Sequence, residues 1–235
     1  MKCLLTLAPA LLIAAAAPVA AQTTCSARSA AVPPAIVELY TSEGCSSCPP
    51  ADRWLSGLKG RSDVLALAFH VNYWDKLGWP DRFANAANTE RQHQLQRASG
   101  APYVYTPQVM LNGRDWRGWG DAGIRPLAES ALSVSLERSG QMVSARVSGA
   151  APDQKLAGYW AVLEDGHLSR VRAGENAGST LKHDHVVTLY KPVAMLAGAS
   201  TLDLPPAQGA TSRRVAFVVT DAQGGKPLQA AVLGC

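Results

Sequence analysis

Ile36-Val37-Glu38-Leu39-Tyr40 runs through Thr41-Ser42-Glu43-Gly44 into Cys45-Ser46-Ser47-Cys48-Pro49-Pro50, and then into Ala51-Asp52-Arg53-Trp54-Leu55. The first block is a short apolar run of the kind that makes a buried strand, and the last is helix-prone. Two cysteines separated by two residues therefore stand at a strand-to-helix turn. A helix N-terminus leaves backbone N–H groups unpaired and carries partial positive charge, so it favours a thiolate over a thiol. Pro49 and Pro50 lack N–H groups, which is harmless only within the first helical turn, so they fix the helix start near Cys48. On this reading Cys45 is the catalytic thiolate, met by the N–H groups of Ser47 and Cys48. Cys48, one turn in, attacks a mixed disulfide on Cys45 and releases the partner. Two other readings stand beside it. One is an inert structural disulfide, to which closure of so small a ring contributes roughly 2 kcal/mol at most. The other is a two-cysteine metal site.

Compartment bears on that choice. Lys2, the apolar residues 11–17 and the small residues up to Ala21 fit a secretory signal peptide over residues 1–21, cut near Ala21. The apolar run is too short for a stable membrane span and nothing later replaces it. A soluble periplasmic or secreted protein is expected. Removal of Cys3 leaves Cys25, Cys45, Cys48 and Cys235. Termini of compact proteins are often neighbours, and an oxidising compartment favours cross-links, so Cys25 and Cys235 are expected to form a structural disulfide. Closing so long a loop contributes roughly 5 kcal/mol as an upper figure. The 235 residues, 47% hydrophobic, allow one large or two small domains with true cores. The formal charge of +4 is spread without basic runs, which makes no case for nucleic acid.

Further along, Val64-Leu65-Ala66-Leu67-Ala68-Phe69-His70-Val71 has the continuous apolar character of a central parallel strand. An aromatic segment with Tyr73, Trp74, Asp75 and Trp79 follows, then a polar, helix-prone stretch over residues 82–98. Tyr105-Thr106-Pro107-Gln108 precedes Val109-Met110-Leu111, and Asn112-Gly113 signals a hairpin. A helix over residues 123–137 is expected to close this unit, giving the order β-α-β-α-β-β-α. That order is the thioredoxin order, so the expectation is an α/β, thioredoxin-like fold over residues 22–138. Pro107 is expected in the cis form beside the dithiol, exposing the Thr106 backbone to a bound chain. From residue 139 to 235, short strands between Gly, Pro and Asp turns predict a β-rich, sandwich-like subdomain.

With these pieces placed, the chain resembles an exported bacterial thioredoxin-like family known only as a domain of unknown function. The stretches that carry the likeness are ELYTSEGCSSCPPAD, FHVNYWDKLGWPDRF, the Arg91-Gln92 pair, YVYTPQVMLNG and GENAGSTLKHDHVV. The family often has H-V-D-Y-W-D where this chain has Asn72, which removes one carboxylate. The resemblance implies a thioredoxin fold with a β-rich C-terminal extension, and no settled substrate.

The main functional expectation is a thiol–disulfide oxidoreductase acting on protein thiols or disulfides, with its own redox-active disulfide in place of a cofactor. Cys45 and Cys48 carry the chemistry. Thr106 and Pro107, with Tyr73, Trp74 and Trp79, form the substrate-binding groove, and Asp75 is either a base near Cys48 or a solvated loop carboxylate. The alternative is a copper-handling protein of the Sco type, with Cys45, Cys48 and His70 as ligands. Soft thiolates suit Cu(I), although the Sco spacing has three intervening residues. His183 and His185, two apart on a strand, are a second metal feature or the polar face of that strand. A third reading is a non-enzymatic thioredoxin-like binding module with an inert disulfide.

Overall fold

The computed structural model describes residues 24–120, 123–194, 196, 198–205 and 212–235. The expected signal peptide lies outside the described residues. In chain order the elements are β1 (Thr24–Arg28), β2 (Ala35–Thr41), α1 (Pro49–Ser56), β3 (Val64–His70), a 3₁₀ helix (Asn72–Leu77), α2 (Ala86–Ser99), β4 (Gln108–Leu111) and β5 (Arg114–Asp115). Then come β6 (Ser133–Ser139), β7 (Met142–Ser148), β8 (Leu156–Glu164), β9 (His167–Arg170), β10 (Thr180–His183), β11 (Val186–Val193), β12 (Ala199–Asp203), β13 (Arg213–Asp221) and β14 (Pro227–Leu233).

This is a predominantly β protein, which corrects the expected α/β thioredoxin-like fold. Its main sheet has eight strands in the order β14-β13-β8-β11-β3-β2-β4-β5. Only β2–β3 and the single β3–β11 bridge are parallel; the other pairings in this sheet are antiparallel. The strands that follow residue 139 do not stand apart. β11 pairs with β3, so β8, β13 and β14 extend the same sheet that carries the dithiol strand. A second sheet, β1-β6-β7-β12, and the β9–β10 hairpin complete the molecule.

The expected helix over residues 123–137 is absent: residues 123–132 are irregular and β6 begins at Ser133. Pro126 disfavours helical backbone at Arg125, which works against a helix that begins before it. The Leu127 and Ser130 N–H groups donate instead to the Pro33 and Ala31 carbonyls, at 3.1 and 2.9 Å, so the segment lies alongside the lead-in to β2. Trp116, Trp119 and Ile124 pack on the α1 face where a helix would have gone, and the Trp54 ring meets Trp116 and Trp119 at 5.8 and 5.5 Å. The Asn-Gly turn is found: Asn112 and Gly113 take φ of 53° and 79° and join β4 to β5.

Side-chain alternation on the long strands divides the interior. On β8, Tyr159, Ala161 and Leu163 join Ile36, Leu67, Phe69 and Leu95 in one cluster against α2. Trp160 and Val162 point the other way, into a core shared with Val134, Leu136, Val143 and Leu202 of the second sheet. α1 covers the remaining patch over Val37, Leu39, Ala66 and Ala68. The first cluster runs from Ile36 to Ala230, so both halves of the chain share it.

One buried polar knot crosses that cluster. Glu38 accepts from Arg91 Nη2 at 2.7 Å, Tyr40 Oη at 2.6 Å and Tyr159 Oη at 2.9 Å, while Arg91 Nη1 donates to the Gly224 carbonyl at 2.6 Å. An ion pair at this depth is tolerable because each partner is fully hydrogen-bonded. It fastens α2 to β2, β8 and the β13–β14 turn.

Candidate functional site

All seven residues of β2 are buried, and the strand delivers Thr41-Ser42-Glu43-Gly44 to the start of α1. The turn is tight: Cys45 N–H donates to the Ser42 carbonyl at 3.1 Å and Gly44 N–H to Ser42 Oγ at 3.1 Å. Gly44 is closely approached: a Cβ there would lie 3.2 Å from Trp74 Cβ, so a side chain would push Trp74 by a few tenths of an ångström. Cys45 and Cys48 form a disulfide with Cα atoms 5.4 Å apart, and both are fully buried. Cys48 is the N-cap residue of α1 and the prolines occupy its first positions, as the sequence predicts. The Cys48 N–H, however, donates to the Cys45 carbonyl at 3.2 Å instead of pointing at sulfur, and Ser47 Oγ lies 3.4 Å from Cys45 Sγ.

The Thr106–Pro107 bond is cis. Its loop is held by α2: Gln92 Nε2 donates to the Tyr105 carbonyl and to Gln108 Oε1, both at 2.8 Å. Trp74, in van der Waals reach of Gly44, donates its indole N–H to Thr106 Oγ1 at 2.8 Å. That side chain brings the cis-proline loop and the dithiol turn together. The other aromatics are also tied into the scaffold. Tyr73 Oη donates to Gln92 Oε1 at 3.4 Å and Trp79 Nε1 to Glu43 Oε2 at 2.7 Å. Asp75 accepts from the Asp81 N–H at 3.1 Å and so braces the turn after the 3₁₀ helix.

Behind the disulfide lies a buried cluster of charged side chains that sequence reasoning did not assemble. His70 Nδ1 meets Asp81 Oδ2 at 2.6 Å, and the same Asp81 oxygen accepts from the Glu43 N–H at 2.9 Å. His183 Nε2 lies 3.2 Å from Glu43 Oε1, and the His70 and His183 rings meet edge to face at 5.0 Å. Burial by itself pulls the His70 imidazolium down, but the Asp81 charge and hydrogen bond outweigh it and raise its pKa. Burial likewise pushes Asp81 up, and His70 with the Glu43 and Phe83 N–H groups overcomes this to hold it at about 2. Asp52, one helical turn beyond Cys48, goes the other way. Burial raises its carboxyl above the ordinary value, and His70, His183 and the Thr41 hydroxyl offset only part of the rise. A buried carboxyl that is readily protonated, beside a dithiol, is suited to exchanging a proton with it.

The β9–β10 loop supplies the outer wall. Asn176 Nδ2 donates to the carbonyls of Glu43 and Cys45, each at 2.9 Å. Glu175 Oε2 accepts from Ser46 N at 3.0 Å and Ser46 Oγ at 2.7 Å. The His183-Asp184-His185 triplet is split three ways. His183 faces Glu43, Asp184 pairs with Lys59 at 2.8 Å, and His185 Nδ1 lies 3.1 Å from Arg214 Nη2. Among the described residues no group of three or more His, Cys, Asp or Glu side chains is arranged to hold a metal ion. Asp52 and Asp81 carried one sequence signal each: an acid on the apolar face of a short helix, and an acid closing an aromatic turn. The conjunction of Glu175 and Asn176 with Ser46 carried none, since 129 residues separate Glu175 from Ser46.

Fold and site together define a β-rich protein with a buried, helix-capped disulfide walled by its own distant loop. The family described as protein of unknown function (DUF1223) matches residues 36–220, and the chain belongs to that family. No curated protein matches it. It is similar to a crystal structure of a protein from Agrobacterium tumefaciens, with 30% identity and a TM-score of 0.62, covering 85% of this chain and 93% of that one. It is also similar in fold to HBP35 of Porphyromonas gingivalis, with 14% identity and a TM-score of 0.54, covering 86% of this chain and 75% of that one. No helix among the described residues is long and apolar enough to cross a membrane.

Proposed function

We propose that the chain is an exported thiol–disulfide oxidoreductase acting on protein thiols or disulfides. The observation that carries this reading is the Cys45–Cys48 disulfide at the start of α1, with a proton-accepting carboxyl, Asp52, one turn behind it. In the reduced state the Cys45 thiolate attacks a client disulfide, and the departing client sulfur takes a proton. Cys48 gives its proton to Asp52 and attacks the Cys45–client bond. The second client thiol leaves, two electrons have passed to the client, and the Cys45–Cys48 disulfide is restored. The reverse sequence oxidises a client dithiol. Both cysteines are buried in the disulfide form, so a client reaches Cys45 only when the turn that carries it, held by Asn176 on the Cys45 carbonyl, opens.

The test is an exchange assay on a disulfide-bonded protein substrate. Cys45→Ala is expected to abolish turnover and Cys48→Ala to accumulate a mixed disulfide; a wild-type protein inert in this assay counts against the reading. One observation favours copper handling as a second reading: His70 Nε2 is buried without a hydrogen-bond partner, while Nδ1 is held by Asp81. A nitrogen left free while its partner is held by a carboxylate is the posture of a metal-ligating imidazole, although Cys45, Cys48 and His70 are not grouped as a metal site in the disulfide form. Stoichiometric Cu(I) retained by the reduced protein and lost in His70→Ala would favour it. A protein that neither exchanges disulfides nor keeps copper would be left as a binding module.

A further inference from the structure

Glu175 is exposed, yet its position is not free. Its neighbour Asn176 is buried and spans the Glu43 and Cys45 carbonyls, so the loop backbone is pinned to the dithiol turn itself. The loop is closed on its own side by Gly178 N–H to the Val171 carbonyl at 2.9 Å and Ser179 N–H to the Asn176 carbonyl at 3.1 Å. From that frame the Glu175 carboxylate takes both the N–H and the hydroxyl of Ser46, the residue next to Cys45. These two hydrogen bonds also hold the carboxyl below its ordinary value, so it is charged at neutral pH.

We propose that Glu175 biases the redox poise of the dithiol: its clasp on Ser46 favours the Cys45–Cys48 disulfide over the Cys45 thiolate and so strengthens the dithiol as an electron donor to client disulfides. The inference rests on the exchange reading above and adds a bias toward electron donation. The disulfide carries no charge. Reduction places a negative sulfur one residue from a fixed carboxylate that already holds the Ser46 N–H, and the two like charges repel. The clasp is therefore stronger in the oxidised state, and a contact that prefers one redox state shifts the equilibrium toward it. Other charges face Cys45 from the buried side: Asp52 on α1, the Glu43–His183 pair and the His70–Asp81 pair. Asp81 is matched by His70, and Glu175 meets the Cys45 turn from the exposed side through Ser46. Electron donation follows the balanced steps already given, the dithiol being regenerated by a second dithiol donor of lower potential.

The experiment uses the full chain with Glu175→Gln, which keeps an acceptor for Ser46 but removes the charge, and Asp153→Asn in the β7–β8 turn as a control. Each protein is equilibrated with a glutathione redox couple, and the reduced fraction is read by alkylation and mass. The pH profile of Cys45 alkylation is recorded on chemically reduced protein at low and high salt. Glu175→Gln should move the equilibrium toward the dithiol about two- to fivefold and raise Cys45 alkylation at neutral pH by a similar factor, as befits an exposed charge. The difference should shrink in high salt. Unchanged equilibrium and alkylation, or a shift toward the disulfide, would overturn the proposal. A wild-type dithiol that fails to equilibrate with glutathione overturns the exchange reading and the electron-donor role with it. The alkylation profile then separates the two, since it still reports whether Glu175 disfavours the thiolate.

Discussion

His70 and Asp81 are a matched pair with opposite demands on pH. Asp81 is held at about 2 against an ordinary 3.8, so its contribution to stability is complete above about pH 4 and is lost as pH falls toward 2. His70 is raised above its ordinary 6.5, so its contribution is complete below that value and is lost as pH rises through the raised one. The pair therefore stabilises the fold most between about pH 4 and 6.5. Asp81→Asn should lower the unfolding free energy by about 2 kcal/mol in that window, with the deficit closing by pH 2. Urea midpoints from pH 2 to 8 measure this, and parallel curves for both proteins would contradict it. At this scale the sequence was partly legible. Cys45, Cys48, His70 and the Thr106-Pro107 turn declare themselves by spacing and position. Asp81, Glu43 and His183 do not, because the contacts that give them meaning come from the end of the 3₁₀ segment and from a distant hairpin.

At the scale of elements, α2 is a polar helix held by polar contacts. Its buried residues are Asn88, Arg91, Gln92 and Leu95, so only one apolar side chain is fully seated. Arg91 and Gln92 do the fastening, the first to Glu38 and the second to the loop carrying the cis-proline. Arg91→Ala leaves Glu38 as an uncompensated buried charge and should destabilise the protein by about 3–5 kcal/mol. Replacing Glu38 by Gln in that background should recover part of the loss, since the remaining charge is removed. Chemical denaturation of the single and double variants measures both, and an Arg91→Ala protein as stable as wild type would refute the account. Strand-helix-strand around the dithiol and the Asn-Gly hairpin were legible because their signals are local. The helix over residues 123–137 was misjudged because composition outweighed Pro126, and because the carbonyls of residues 31 and 33 that take its N–H groups lie far away in sequence.

For the whole molecule, the fold class was lost at one contact. The single parallel bridge from Val186 to Ala68 lets β11 join β3, and β8, β13 and β14 then extend the first sheet. No periodicity within a strand reveals which sheet it enters. The terminal cross-link, by contrast, followed from compartment and from the nearness of chain ends. Cys25 on β1 and Cys235 after β14 are joined with Cα atoms 6.5 Å apart, and Arg138 on β6 donates to the Cys235 carbonyl at 2.6 Å. Cys235→Ser should lower stability by up to about 5 kcal/mol while leaving Cys45–Cys48 exchange unchanged. Denaturant midpoints and the exchange assay read the two separately, and an unchanged midpoint would show that strand pairing alone holds the ends.

That cross-link has a topological consequence. The sequence separation it closes is 210 residues, so nearly the whole described chain is one covalent ring. Within a ring, no single backbone scission between Cys25 and Cys235 produces two molecules. A protease that nicks a surface loop leaves fragments tethered through β1 and the residue after β14, still in register to re-pair in the sheet. A first cut in such a ring leaves one molecule, so it is a tolerated wound and not destruction.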